Sequence, residues 1–297
     1  MNVAILQLLI GAVAIALAPI FAKFIGMTGH VSPIGAGFWR MAIGTLGFGM
    51  LILLPSDRKK ALDELRFVAK TSSLPIILAG ILFAGDLAAW HTSFEYTSVT
   101  SSTLIANTSS VLVPLCGVLF FREVFKRKLA IGGVMAMTGV VGLVLLRTNA
   151  GRDASHDSLL MGEGFAFMTA FLYTGYMLII KKAVGNGTTR SIMLISSAVS
   201  AVILCVIANS LDQAIFPSTK GAWVWILALG LICQVMGQGL IAKALKVLPV
   251  SQSAILLVIA PTSTAIFGWV LLGETLTLSQ IGCVGLSLLG ITIVSLR

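Results

Sequence analysis

Polar residues interrupt this chain rarely and with a regular spacing. Apolar runs of about 20 residues, the length that crosses a bilayer as helix, alternate with short polar turns. They predict ten helices, at about 3–25, 33–54, 73–93, 97–121, 129–147, 160–182, 190–210, 221–246, 249–272 and 277–296. The runs do not alternate apolar with polar residues, as the strands of a transmembrane barrel would. Only two connections are long, 55–72 and 148–159, and neither could form a domain. The first reads as a short amphipathic stretch lying on the membrane surface. The second is a polar linker between two units of five helices, 1–147 and 160–297.

The two units share a pattern at a constant offset of 151 residues. Glu123 meets Glu274, Gly139 meets Gly290 and Leu145 meets Leu296. Upstream, Val99 meets Val250, Thr100 meets Ser251, Ser102 meets Ser253 and Gly117 meets Gly268. The prolines Pro114 and Pro261 do not align at that offset, so the symmetry is approximate. Five helices is an odd number, so a related second half must insert upside down. Inverted repeats of this kind are a transporter signature, with the substrate site near the midplane between them. The expected fold is therefore all-α and integral to the membrane, ten transmembrane helices arranged as two inverted five-helix repeats.

Composition supports the membrane reading. Of 297 residues, 57% are hydrophobic and 10% charged, against roughly 25% charged in a soluble domain. Mean hydropathy is +1.02. The net charge of +9 does not point to nucleic acid, because the basic residues sit in short loops where they orient helices. With the N-terminus placed inside, the inner loops hold most of the Lys and Arg, including Arg58, Lys59, Lys60, Lys126, Arg127, Lys128, Lys181 and Lys182. The outer side holds only Lys23, Arg147, Arg152 and Lys220. Both termini are predicted cytoplasmic, and the expected location is a bacterial inner membrane. The N-terminal apolar run lacks the basic start of a secretory signal and reads as the first spanning helix. Cys116, Cys205, Cys233 and Cys283 all fall within apolar runs, where free cysteine acts as a small hydrophobe.

Several segments resemble the drug/metabolite transporter superfamily, specifically its ten-helix EamA-type family. They are SPIGAGFWRMAIG from Ser32 to Gly44, AWHTSFEYTSVTSSTLIANTSSVLVPL from Ala89 to Leu115, and the second-half stretch from Ala242 to Ile291. Within that stretch Gly273–Glu274, followed by Leu276, Gln280 and Gly282, is similar to the family's most recognisable signature. In the first half Arg122 replaces the Gly. The resemblance implies a basket of two inverted repeats moving a small metabolite, in many members an amino acid.

Polar groups within the hydrocarbon are costly and are site candidates by default. Asp86, Trp90 and Phe94 recur every four residues, on one face of the third predicted helix. Arg40, about two turns into the second, stands within plausible reach of Asp86. Such a pair is either a structural clamp between helices or a receptor for both charges of a zwitterion. His91 offers a hydrogen bond between helices or a proton-coupling group. Asn107 falls near the midplane of the fourth helix, in a run of Ser and Thr that reads mainly as interhelical glue. Gln234 and Gln238 recur at i, i+4 on the eighth helix, and Tyr173 lies deep in the sixth. Trp90, Asn107, Gln234, Gln238, Tyr173, Asp86, Arg40 and His91 are thus the candidate substrate-binding residues. Glu123 and Glu274 read as helix-end groups accepting backbone N–H bonds.

No P-loop, no H-E-x-x-H and no Cys/His cluster occurs in the sequence, so no cofactor, metal or ATPase motif is expected. The expected partners are a small-molecule substrate and the lipid bilayer, with protons a candidate coupling ion. The expected function is secondary transport: export of a small metabolite, amino acids above all, by alternating access. Uptake or exchange of a vitamin or nucleoside-like solute is the alternative, and an integral-membrane enzyme acting on lipid-linked substrates a more distant one.

Overall fold

A computed structural model describes residues 3–54, 58–96, 102, 105–124, 126–146, 156–273 and 276–296. Within them every element of regular secondary structure is a helix. The first half contributes α1 (Val3–Ile15), α2 (Ala18–Gly29), α3 (Pro33–Leu53), α4 (Arg58–Thr71), α5 (Ser73–Tyr96), α6 (Ser109–Phe121) and α7 (Arg127–Leu146). The second contributes α8 (His156–Asn186), α9 (Thr189–Ser210), α10 (Ala222–Ala228), a π-helical segment Leu229–Gln238, α11 (Gly239–Leu245), α12 (Val250–Leu256), α13 (Ile259–Leu272) and α14 (Leu278–Ser295). Eight helical stretches among the described residues are long and apolar enough to cross a membrane. Ser109–Phe121 is apolar but shorter. Their outward faces carry apolar residues such as Leu46, Val111, Leu119, Phe171, Val206 and Val270, which water would penalise and lipid does not. The protein is integral to the membrane.

The departures from uninterrupted helices have local causes. The first predicted helix is broken after Ile15 and restarts at Ala18 with Pro19 in its first turn, where a missing N–H costs nothing. The ninth is broken at Leu257 and Val258, four and three residues before Pro261, whose ring excludes the carbonyl four residues back. The fourth has a turn at Asn107 and Thr108, between helical residues 105–106 and α6; residues 97–101, 103 and 104 lie outside the described set. The sixth runs beyond its expected ends at both sides. The stretch at 55–72 does contain a helix, α4, which buries Ala61 and Val68. Arg190 Nη2 donates to Glu64 Oε2 at 3.2 Å and ties α4 to α9.

Two features recur at the 151-residue offset. The turn at 107–108 corresponds, within one residue, to the turn at 257–258. The ends of α6 and α13 correspond as well. Arg122 (φ 52°) and Gly273 (φ 67°) both adopt the left-handed conformation. Each donates its N–H to a glycine carbonyl, Gly117 and Gly268 respectively. The cap at Gly273 uses the residue suited to positive φ; Arg122 adopts the same shape without that advantage.

Helices approach each other closely through glycines, as expected where no hydrophobic force drives helices together in lipid. On α7 and α14 a Cβ added at Gly132 would lie 2.6 Å from the Gly290 carbonyl oxygen, and one at Gly139 would lie 2.5 Å from the Cys283 carbonyl oxygen. The described chain ends, the start of α1 and the end of α14, lie at the same end of the bundle: Ala4, Ile5 and Leu8 share one apolar cluster with Leu248, Leu256, Ile291 and Val294. At the opposite end, Trp39, Phe216 and Trp223 pack edge to face, and Trp39 Nε1 donates to the Ile215 carbonyl at 2.8 Å.

Candidate functional site

The two helix breaks face a common interior space. A cavity of about 220 Å³ is walled by Ala12 and Ile15 of α1, Arg40 of α3, Phe83, Asp86, Leu87 and Trp90 of α5, and Thr169 and Tyr173 of α8. Ala106, Asn107, Ser109, Ser110 and Val113 come from around the 107–108 turn. Gln238, Ile241, Ala254, Leu257, Ala260 and Pro261 complete it from the second half. At each break the backbone tightens instead of stopping: the Asn107 carbonyl accepts from the Ser110 N–H and the Leu257 carbonyl from the Ala260 N–H, each at 2.9 Å. Asn107 and Leu257, one from each break, both line the cavity.

Six of the eight candidate residues border the cavity: Arg40, Asp86, Trp90, Asn107, Tyr173 and Gln238. Gln234 and His91 do not. Arg40 and Asp86 are both buried, at 7% exposure each, but among the described residues no ion pair joins them, contrary to the expected clamp. Arg40 turns elsewhere. Its Nε donates to Gln234 Oε1 at 3.2 Å, and Gln234 Nε2 donates to Ser197 Oγ at 3.1 Å. The guanidinium carbon lies 5.7 Å from the Phe83 ring centroid, within cation–π range. Gln234 is wholly buried and sits behind Arg40, fixing the guanidinium where it borders the cavity. The i, i+4 spacing of the two glutamines hid this division: Gln238 meets the cavity while Gln234 meets α3 and α9. Both lie in the π-helical segment, a widened form of helix that is rare and often found at functional sites.

On α5, the Asp86 backbone carbonyl accepts from Thr169 Oγ1 at 3.3 Å, which fixes this turn against α8. Phe83 stacks on Tyr176, centroids 4.4 Å apart, and Tyr176 lies 6.0 Å from Tyr173. An aromatic wall thus stands beside the two charges. Sequence reasoning missed Phe83, Thr169 and Ser197. Phe83 lies three residues before Asp86, so helical spacing places it on the same face. Ser197 carries no signal apart from tertiary contact.

A second, larger groove of about 880 Å³ lies between α4 and the 185–188 turn, edged by Lys59, Lys60 and Lys246. Its carboxylates Asp63 and Glu64 are already paired, with Arg66 and Arg190. It is an open surface feature, away from the buried polar groups.

Glu123 accepts from the backbone N–H groups of Val250, at 2.7 Å, and Ser251, at 2.9 Å. It therefore does cap a helix, but not the one that follows it: it caps α12, in the other half of the chain. Glu274 lies outside the described residues.

Compared with known proteins, the EamA-like transporter family model matches twice, over residues 2–145 and 160–296. The chain belongs to the EamA-like transporter family. It is 26% identical over 288 residues to YwfM of Bacillus subtilis, described as an uncharacterized transporter, covering 93% of this chain and 91% of that one. An uncharacterized transporter of Haemophilus influenzae is 23% identical over 252 residues, with 79% and 80% covered. One solved crystal structure superposes with a TM-score of 0.83 over 99% of this chain and 98% of the other at 15% identity, a likeness of fold. The EamA-like protein is thus a membrane transporter, and its cavity is the place to seek its substrate.

Proposed function

We propose that this transporter exports a small zwitterionic metabolite, an amino acid above all, by alternating access between two inverted repeats and without chemical conversion. The observation that carries the reading is the placement of Arg40 and Asp86. Two opposite charges border one small cavity and do not satisfy each other. A buried charge without an opposite partner is costly, and a zwitterion in the cavity supplies one to each. Its carboxylate would meet the guanidinium, a donor fork suited to carboxylates, and its ammonium would meet Asp86. Trp90 and Tyr173 offer faces to the remaining side chain, and Asn107 and Gln238 offer amides for hydrogen bonds. The cavity volume favours a metabolite smaller than the ligands of typical drug-sized pockets of about 300–1,000 Å³. The excess of basic loops on one side supports cytoplasmic termini and an inner-membrane location.

Flux into proteoliposomes, measured for a panel of amino acids and vitamins, tests this reading. A transported amino acid should lose transport when its amino or its carboxyl group is removed. Trp90→Ala, Asn107→Ala and Gln238→Ala should each alter transport while the protein stays folded. Normal transport by all three variants would remove the cavity from the mechanism, and transport of only uncharged solutes would remove the zwitterion.

A further inference from the structure

Four elements that wall the cavity continue toward the end of the bundle holding both chain ends, and all four are tied together just past it. On α6, Val113 borders the cavity and Gly117 follows one turn on. On α12, Ala254 borders it, and Val250 and Ser251 lie one turn beyond. On α11, Ile241 borders it, and Leu245 lies one turn beyond. On α8, Tyr173 borders it, and Lys181 lies two turns beyond.

The outer members of these sets are joined by polar bonds. Glu123, just after α6, takes the N–H groups of Val250 and Ser251 with its two carboxylate oxygens. Ser251 Oγ donates to the Pro114 carbonyl at 3.3 Å. An added Cβ on Gly117 would lie 2.4 Å from Ser251 Oγ, so only glycine permits this approach. Lys181 Nζ donates to the carbonyls of Leu245, at 2.8 Å, and Leu248, at 2.7 Å. The carboxylate meets the positive end of a helix and the ammonium the carbonyls at a helix end, which is the favourable sense for each. The hairpin between α11 and α12 is thus gripped from α6 on one side and α8 on the other.

From this geometry we infer that Glu123 is the latch residue of the transport cycle. With Lys181, it holds the passage from the cavity to the chain-end face closed, and its bonds to α12 must break for that passage to open. Glu123 does not border the cavity and acts through α12, so it is a positioning residue. It adds to the transport reading a named barrier on one side of the cavity.

Accessibility tests the latch without any substrate, so an error in the proposed substrate would leave the result unaffected. In a background lacking the four native cysteines, Ala254→Cys places a thiol on the cavity wall. A membrane-impermeant maleimide is applied to vesicles sorted by whether a C-terminal tag is cleaved from outside. From the chain-end face, Glu123→Gln should raise the labelling rate about tenfold, the response to a tenfold shift of a two-state equilibrium from a mostly closed form. Lys181→Met, which keeps the apolar stem but loses the ammonium, should shift it in the same direction. Glu123→Asp should fall between parent and Glu123→Gln. The opposite face should show no such rise. Should Glu123→Gln fail to fold, Lys181→Met and Glu123→Asp carry the test. Parent-like labelling in the folded variants would overturn the latch, and so would an equal rise from both faces, which marks general loosening.

Discussion

Replacing Gln234 with methionine tests whether Arg40 is held in place or merely passes by. Methionine keeps the length and apolar stem, which already presses on α3: an added Cβ at Gly44 would lie 2.4 Å from Gln234 Cγ. What is lost is the bond from Arg40 Nε, at 3.2 Å, and the bond to Ser197, at 3.1 Å. Hydrogen bonds to charged groups contribute about 1.5–3 kcal/mol. A neutral interhelical bond in a membrane averages about 0.6 kcal/mol. Together the substitution should cost roughly 2–3.5 kcal/mol. The arginine is then left buried, at 7% exposure, with one donor unmet, which places the cost toward the upper end. Unfolding in mixed detergent micelles, followed by helical signal, measures it. Gln234→Glu should recover part of the stability, because a carboxylate can still accept from Arg40. A loss below about 0.5 kcal/mol for Gln234→Met, the scatter of unremarkable surface changes, would show that Arg40 does not depend on Gln234.

Other substitutions probe the frame. Gly139→Val should destabilise the fold by at least about 1–3 kcal/mol, the usual cost of overpacking, since its first carbon alone would sit 2.5 Å from the Cys283 carbonyl oxygen; the same micelle titration reads it, and an unchanged midpoint would refute the close α7–α14 contact. Arg122→Gly should be neutral or stabilising and Gly273→Ala destabilising by about 1 kcal/mol, because both positions need positive φ. Thr277→Val should cost about 1 kcal/mol by removing the capping box that Thr277 forms with Gln280 at the start of α14. By contrast, Glu64→Gln should change stability by less than about 1 kcal/mol, because the Arg190–Glu64 pair is partly exposed, and its effect should shrink further at high salt.

Hydrophobic spacing alone determined that this chain is a helical membrane protein. A run of about 20 apolar residues has no other economical fold, and its ends are marked by charge. At the 151-residue offset, Arg122 and Gly273 each end an apolar helix with the same backbone cap. Side-chain chemistry marked the expensive groups, Arg40, Asp86, Asn107 and Gln238, since a polar group in lipid demands a reason. Spacing along one helix could not say which way such a group turns or whom it meets. Arg40 lies 194 residues from Gln234, and Glu123 lies 127 residues from Val250. The sequence suggested an arginine paired with Asp86 and a glutamate capping its own next helix. The tertiary structure gives Arg40 to Gln234 and Glu123 to α12 across the two halves. Periodicity records only a residue's place on its own helix, whereas the choice among partners depends on how helices from distant parts of the chain pack.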